Sequence, residues 1–216
     1  MNKCLLCQRF LNQEITLQDI FSLRPLQKNV ICTECQQKFD YLPNQATCPQ
    51  CGRKLMGTQP KICHDCQYWR ARGQVFTNEA LFEYNQAMKD YMRQYKFMGD
   101  YRLRKVFSGL LSQRAKKSRR IIIPIPVSES TMQERGFNQV CGLLECQYLE
   151  ILKVKNQVKE RQSAKNRQER LQLVQPFTII PEYLSVIKNK RVLIVDDVYT
   201  TGATLQYARN LVLGAG

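Results

Sequence analysis

A chain of 216 residues, 44% of them hydrophobic, has room for one domain of ordinary size plus a small appendage, and enough apolar content for a real core. Its formal net charge of +15 makes a polyanion the expected partner. No apolar run approaches the roughly 18 residues of a membrane span, and Met1-Asn2-Lys3-Cys4 leads into cysteines rather than a secretory segment, so a soluble, cytoplasmic protein with no membrane insertion is expected.

Eight of the ten cysteines lie in the first 66 residues as four Cys-x-x-Cys pairs: Cys4/Cys7, Cys32/Cys35, Cys48/Cys51 and Cys63/Cys66. Two thiolates three residues apart reach one metal across a tight turn, and two such pairs complete a tetrahedral shell. About two zinc ions per chain are therefore expected, in closed shells whose role is structural. Pairing in sequence order, 4/7 with 32/35 and 48/51 with 63/66, is the expectation; an interleaved cross-brace is the alternative. Four complete pairs leave His64 without a place in either shell. Residues 1–70 thus read as a small zinc-binding domain that needs metal to fold, and residues 71–216 as a second domain. Cys141 and Cys146 read as buried thiols on a helix.

Residues 75–84 fit a strand with Phe82 and Tyr84 on one face. Asn85 can cap a helix to about Tyr95, with Met88, Tyr91, Met92 and Tyr95 at helical spacing. Asp100 can cap the next helix, where Leu103, Val106, Phe107, Leu110 and Leu111 form one apolar stripe. Charge here is lopsided. From Lys89 to Arg120 eleven lysines and arginines stand against Asp90 and Asp100, and from Lys153 to Arg170 seven stand against Glu160 and Glu169. A solubilising surface usually mixes both signs. Lys96, Arg102, Lys105, Lys116, Lys117, Lys165 and Arg167 are the candidate contacts to a nucleic-acid backbone. Tyr91, Tyr95, Phe97 and Tyr101 could stack on bases or simply pack.

Ile121 to Pro126 reads as a buried strand stopped by prolines, followed by Ser128. Arg135-Gly136-Phe137-Asn138-Gln139 leads into a helix expected to reach about Tyr148. Arg135 could bind an anion, and Asn138 or Gln139 could contact a sugar or base edge; capping and packing are the plainer roles. Residues 155–175 are polar and basic, and read as a loop closing over an anion or as a solvated linker. A short strand and a crossing loop are expected in residues 176–190.

Val192 to Val195 is an apolar, β-branched run suited to a strand buried on both faces of a parallel sheet. Asp196 and Asp197 follow at its C-terminal end, where open α/β sheets place ligands. The turn Thr200-Thr201-Gly202-Ala203-Thr204 then opens a helix. Backbone N–H groups at such a turn can surround a phosphate, helped by the helix dipole and the threonine hydroxyls. The two carboxylates would repel a phosphate, and suit sugar hydroxyls or Mg²⁺ instead.

This string closely resembles the phosphoribosyl pyrophosphate (PRPP) motif of type I phosphoribosyltransferases. Together with the paired cysteines, Ile121-Ile122-Ile123-Pro124-Ile125-Pro126, Arg135-Gly136-Phe137-Asn138-Gln139 and Lys165-Asn166-Arg167-Gln168-Glu169-Arg170-Leu171, in that order, the chain resembles the ComF (competence protein F) family. The resemblance implies an α/β fold, a phosphoribosyltransferase-like parallel sheet with flanking helices, behind a cysteine-rich zinc-ribbon-like domain. It implies that Asp196 and Asp197 meet ribose hydroxyls and that residues 200–204 hold the 5′-phosphate, with Ser128 and Arg135 alongside. It also implies a role in natural transformation, handling imported single-stranded DNA beside a ComFA-type DNA-import helicase. Transferases of this type continue past the motif helix into another strand, so either a truncated chain or a sheet lacking an edge strand is expected. No residue reads as a nucleobase acceptor site; binding without turnover and Mg²⁺-dependent transfer to a base or amine both remain open at this point.

Overall fold

The computed structural model describes residues 3–11, 29–42, 46–55, 57, 61–155 and 175–215. Lys165, Arg167 and most of the polar 155–175 stretch lie outside the described residues.

The cysteine-rich region consists of two small modules of the same build. In the first, Cys4 N–H donates to Arg9 O and Gln8 N–H to Cys4 O; in the second, Cys48 N–H donates to Arg53 O and Gly52 N–H to Cys48 O. Each knuckle turns through one positive-φ residue, Gln8 at 61° and Gly52 at 72°. Gly52 has a second constraint, because a Cβ there would sit 2.7 Å from the Ala80 amide. Each module is completed by a helix whose N-cap is a cysteine: Cys32 before α1 (Thr33–Gln36) and Cys63 before α2 (His64–Arg70).

Residues 75–84 form no strand. Their backbone is divided between two neighbours: Asn78 N–H donates to Gln50 O in the second module, whereas Glu83 N–H donates to Asp40 O and Leu81 O accepts from Leu42 N–H around an isolated Tyr41–Phe82 bridge. With Asn78 Nδ2 donating to Cys51 O, the segment runs as a strap. Helix α3 (Gln86–Lys96) then begins where Asn85 accepts from Met88 N–H, and its buried face is Met88, Tyr91, Met92 and Tyr95. The expected single helix after Asp100 is broken. A 3₁₀ segment (Tyr101–Val106) gives way at Phe107, φ −122°, to α4 (Ser108–Lys117). The break lets the Phe107 ring meet Phe39, Phe82 and Tyr91 at 4.8–5.0 Å between centroids.

Strand β1 (Ile121–Pro124) pairs in parallel with β4 (Val192–Val195), Ile121 opposite Val192 and Pro124 opposite Val195. Ile121 and Ile125 donate to β4, at Arg191 O and Val195 O, so the missing N–H of Pro124 falls on the other edge of the strand. Between the strands lie α5 (Glu129–Arg135), α6 (Gln139–Gly142), an antiparallel pair β2 (Leu152–Val154) and β3 (Phe177–Ile179), and α7 (Leu184–Ile187). Helix α6 stops far short of Tyr148, because the chain must turn there: Glu145 N–H bonds Ser112 Oγ and Leu149 N–H bonds Ile122 O. Cys141 and Cys146 are consequently half-buried rather than sealed in a helix interface.

Strand alternation sends neighbouring residues to opposite faces. Ile123 joins Ile151, Phe177, Leu205, Ala208 and Val212 beneath α8 (Ala203–Leu213), whereas Ile122 and Val195 pack with Ala115, Val140 and Leu144 under α4 and α6. The parallel sheet is thus clasped by helices on both faces, as the sequence suggested. Val192 to Ile194 nevertheless stay only half-buried, because β4 has a single strand neighbour among the described residues.

Candidate functional site

The site forms where β4 ends. Asp196 Oδ1 accepts from the Asp197 N–H at 2.9 Å, fixing the two carboxylates as a unit. The Lys96 ammonium, on the last residue of α3, pairs with Asp197 Oδ2, and the two side chains are only 15% and 6% exposed. Lys96, expected to contact a nucleic-acid backbone, is thus held against Asp197 in this structure. Burial and the neighbouring Asp197 push the Asp196 carboxyl up to about 8, against the opposing pull of Lys96.

Arg135 closes α5 and approaches the same carboxylates. Burial lowers its pKa, and the field of Asp197 works in the opposite direction. One of its terminal nitrogens donates to Gln139 Oε1, its guanidinium lies 5.9 Å from the Phe97 ring, and its buried Nε has no partner among the described residues. Asn138 is a structural residue here: it caps α6 by accepting from Val140 N–H and donates to Ile125 O. Ser128 likewise caps α5, accepting from Thr131 N–H.

The turn after β4 is built around Gly202, which sits at φ +80° as the N-cap of α8. An added Cβ would drive into the Tyr199 hydroxyl, so glycine is required on both counts. Thr201, Gly202 and Ala203 are buried, Thr204 is half-buried and Thr200 is exposed. Tyr199 reaches backwards and packs against Cys48, Cys51, Cys63 and Cys66.

The turn is also tied down by residues to which no local sequence pattern points. Trp69 Nε1 donates to Thr201 O at 2.7 Å, and Arg53 donates to Thr200 O at 2.5 Å. Arg53 is itself held by Asp65 at 2.8 Å, and Asp65 is 2% exposed. The one available signal was position: Trp69 is the sole tryptophan, one helical turn beyond Cys66, and Arg53 and Asp65 sit two residues from cysteines.

The eight paired cysteines come together as Cys4, Cys7, Cys32, Cys35 and as Cys48, Cys51, Cys63, Cys66, each set with its four sulfurs within 4.8 Å of one another. Separations of 3.7 Å (Cys7–Cys32) and 3.5 Å (Cys51–Cys63) are far beyond a disulfide bond and near the roughly 3.8 Å edge of a tetrahedral metal–thiolate shell. Both sets could hold a metal ion. Burial works against a thiolate at Cys4 and Cys48, yet backbone N–H donors outweigh it and bring these thiols down to about 6 and about 7.

Among the expected nucleic-acid contacts, Lys105, Lys116 and Lys117 are exposed and have no acidic partner among the described residues. Arg102 is exposed but forms a forked pair with Asp100. Of the four aromatics, Tyr91 and Tyr95 are buried core, whereas Phe97 is 66% and Tyr101 45% exposed beside Arg135 and Arg104.

The comparisons with known proteins agree with this layout. Residues 103–216 match the phosphoribosyl transferase domain model. Over 216 residues the chain is 39% identical to competence protein ComFC of Streptococcus pneumoniae, covering 99% of this chain and 94% of that one. The chain belongs to the ComFC family. ComFC of Bacillus subtilis is 31% identical, covering 99% and 89% of the two chains, and competence protein F of Haemophilus influenzae is 26% identical, covering 88% and 86%. No solved structure matches. A ComFC chain with a phosphoribosyl transferase domain has a competence role, and no helix among the described residues is long and apolar enough to cross a membrane.

Proposed function

We propose that this ComFC chain is a cytoplasmic protein of natural transformation that binds PRPP with Mg²⁺ after β4 and handles single-stranded DNA on its basic surface. The cysteine-rich residues 1–70 form its zinc-binding part, with one zinc in each four-cysteine set, and residues 71–216 its phosphoribosyltransferase-like part. The observation that carries the reading is the neighbouring of opposite charges beside one turn. Asp196 and Asp197 suit ribose hydroxyls, the Thr201 and Gly202 backbone with the start of α8 suits the 5′-phosphate, and Lys96 and Arg135 suit the pyrophosphate. Ser128 and Thr200 to Thr204 complete the cradle. Bound Mg²⁺ would supply charge neutralisation for the pyrophosphate oxygens.

Titrating PRPP with Mg²⁺ into wild type and Asp197→Asn, with heat as the signal, tests the pocket. Binding that depends on Asp197 is expected; equal heats from both proteins would remove it. For DNA, Lys105, Lys116 and Lys117 with the exposed Phe97 and Tyr101 offer phosphate and stacking contacts, so affinity should fall steeply with salt. Docking to a ComFA-type helicase through residues 1–70 completes the reading, and a pull-down of that helicase lost on deleting them is its check.

Turnover is the second reading, favoured by the two cations beside Asp197. The bond from ribose C1 to the pyrophosphate oxygen would break as a bond to an acceptor nitrogen forms. Lys96 and Arg135 would stabilise the departing charge. Its test is pyrophosphate release from PRPP that requires an added base or amine.

A further inference from the structure

We propose that Trp69 and Arg53 are positioning residues for the turn after β4, and that the second four-cysteine module thereby sets the geometry of the anion cradle. The inference rests on the phosphoribosyl reading of that turn and adds how the turn is held.

All peptide bonds described are trans, so a carbonyl and the N–H of the following residue point in opposite directions. Arg53 draws the Thr200 carbonyl towards the module, and Trp69 draws the Thr201 carbonyl the same way. The Thr201 and Gly202 N–H groups are therefore turned away from the module, onto the side where an anion at the start of α8 would sit. A single donor could fix one plane. Two donors on consecutive carbonyls fix both, and with them the positive φ of Gly202 between the second plane and the helix.

Both donors are rigidly mounted. Trp69 is 7% exposed and lies on α2, whose N-cap is Cys63 and whose first turn carries Cys66. Arg53 follows Cys51 by two residues and is braced by Asp65, between Cys63 and Cys66. Tyr199 packs against the cysteine cluster, and Gln74, just before the strap, accepts from Gln206 Nε2 of α8 at 3.2 Å. A metal that holds Cys48, Cys51, Cys63 and Cys66 together therefore holds the donors in register. In the first module Leu5, Leu6 and Ile31 pack instead on the α3 cluster.

The test uses the full chain with Trp69→Phe and, separately, Arg53→Met. Metal content per chain, hydrogen exchange of the 199–204 amides and PRPP·Mg²⁺ affinity are measured on each. Trp69→Phe keeps a six-membered aromatic ring while removing the five-membered ring that carries the donor, and both metals are expected to remain. Exchange of the turn should rise several-fold, and affinity should weaken about ten-fold, the effect of one lost buried hydrogen bond. Unchanged exchange and affinity in both variants, with two metals retained, would overturn the proposal. Faster exchange in a protein whose wild type binds no PRPP would uphold the positioning of the turn and overturn the phosphoribosyl reading instead. Faster exchange accompanied by loss of a metal from Trp69→Phe would overturn it too, since Trp69 would then be maintaining the module rather than the turn.

Discussion

The two four-cysteine modules share a knuckle and a cysteine-capped helix, yet they support different parts of the protein. The first presents Phe39 to Phe82, Tyr91 and Phe107, and so buttresses the helical cluster of α3 and α4. The second presents Trp69, Arg53 and its sulfurs to the turn that follows β4. A repeated unit has thus been put to one task of packing and one of positioning. The difference lies in a few side chains beside the cysteines, and variants of those side chains should separate the two tasks.

The largest expected effect falls on the packing module. Phe39→Ala removes a ring that is 9% exposed and makes three edge-on aromatic contacts, and should cost about 3–5 kcal/mol in urea unfolding. PRPP affinity of the folded fraction should change less than twofold; a large loss would mean that the first module also shapes the pocket. Gly202→Ala comes next. Its φ of +80° and the Tyr199 hydroxyl leave no place for a methyl, so binding should fall by at least ten-fold, with a stability cost of about 1–3 kcal/mol.

A smaller effect concerns pH. Asp196 is raised to about 8 in the folded chain, above its unfolded carboxylate range, so the folded state holds a proton that the unfolded state has lost. Apo-protein stability should therefore decline as pH rises from about 4 towards 8, and Asp196→Asn should flatten that slope. PRPP·Mg²⁺, which calls for the ionised carboxylate, should bind more tightly at pH 8.5 than at pH 7. A slope of the same size in Asp196→Asn would assign the effect to another group. The smallest effect is that of Lys116→Ala with Lys117→Ala, which should reduce the salt dependence of single-stranded DNA binding by about one to two counterions and leave PRPP binding alone.

Contiguous chemistry was legible in the sequence. The strand, the two aspartates and the glycine turn of residues 192–204 are adjacent in the chain, and the cysteine pairs announce their own geometry. Long-range partners were not legible. Trp69 and Thr201 are 132 positions apart and Arg53 and Thr200 are 147 apart, so no local pattern joins them. Lys96 was read with its basic neighbours because charge runs usually face solvent, and only the tertiary fold brings the end of α3 to Asp197. Residues 75–84 fit a strand in sequence, but their backbone bonds are split between Gln50 in a cysteine knuckle and residues Asp40 and Leu42, with a single bridge at Tyr41–Phe82. The apolar stripe from Leu103 to Leu111 was real, with Leu103 fully buried, although packing of Phe107 divided the helix that carries it.

The most direct measurement compares Cys7→Ser with Cys51→Ser, the matching knuckle positions of the two modules. Each variant is first shown by native mass to retain one metal and is then titrated with PRPP·Mg²⁺. Cys7→Ser is expected to bind nearly as wild type does, and Cys51→Ser to lose binding. Equal affinity in the two variants, or loss confined to Cys7→Ser, would contradict this expectation.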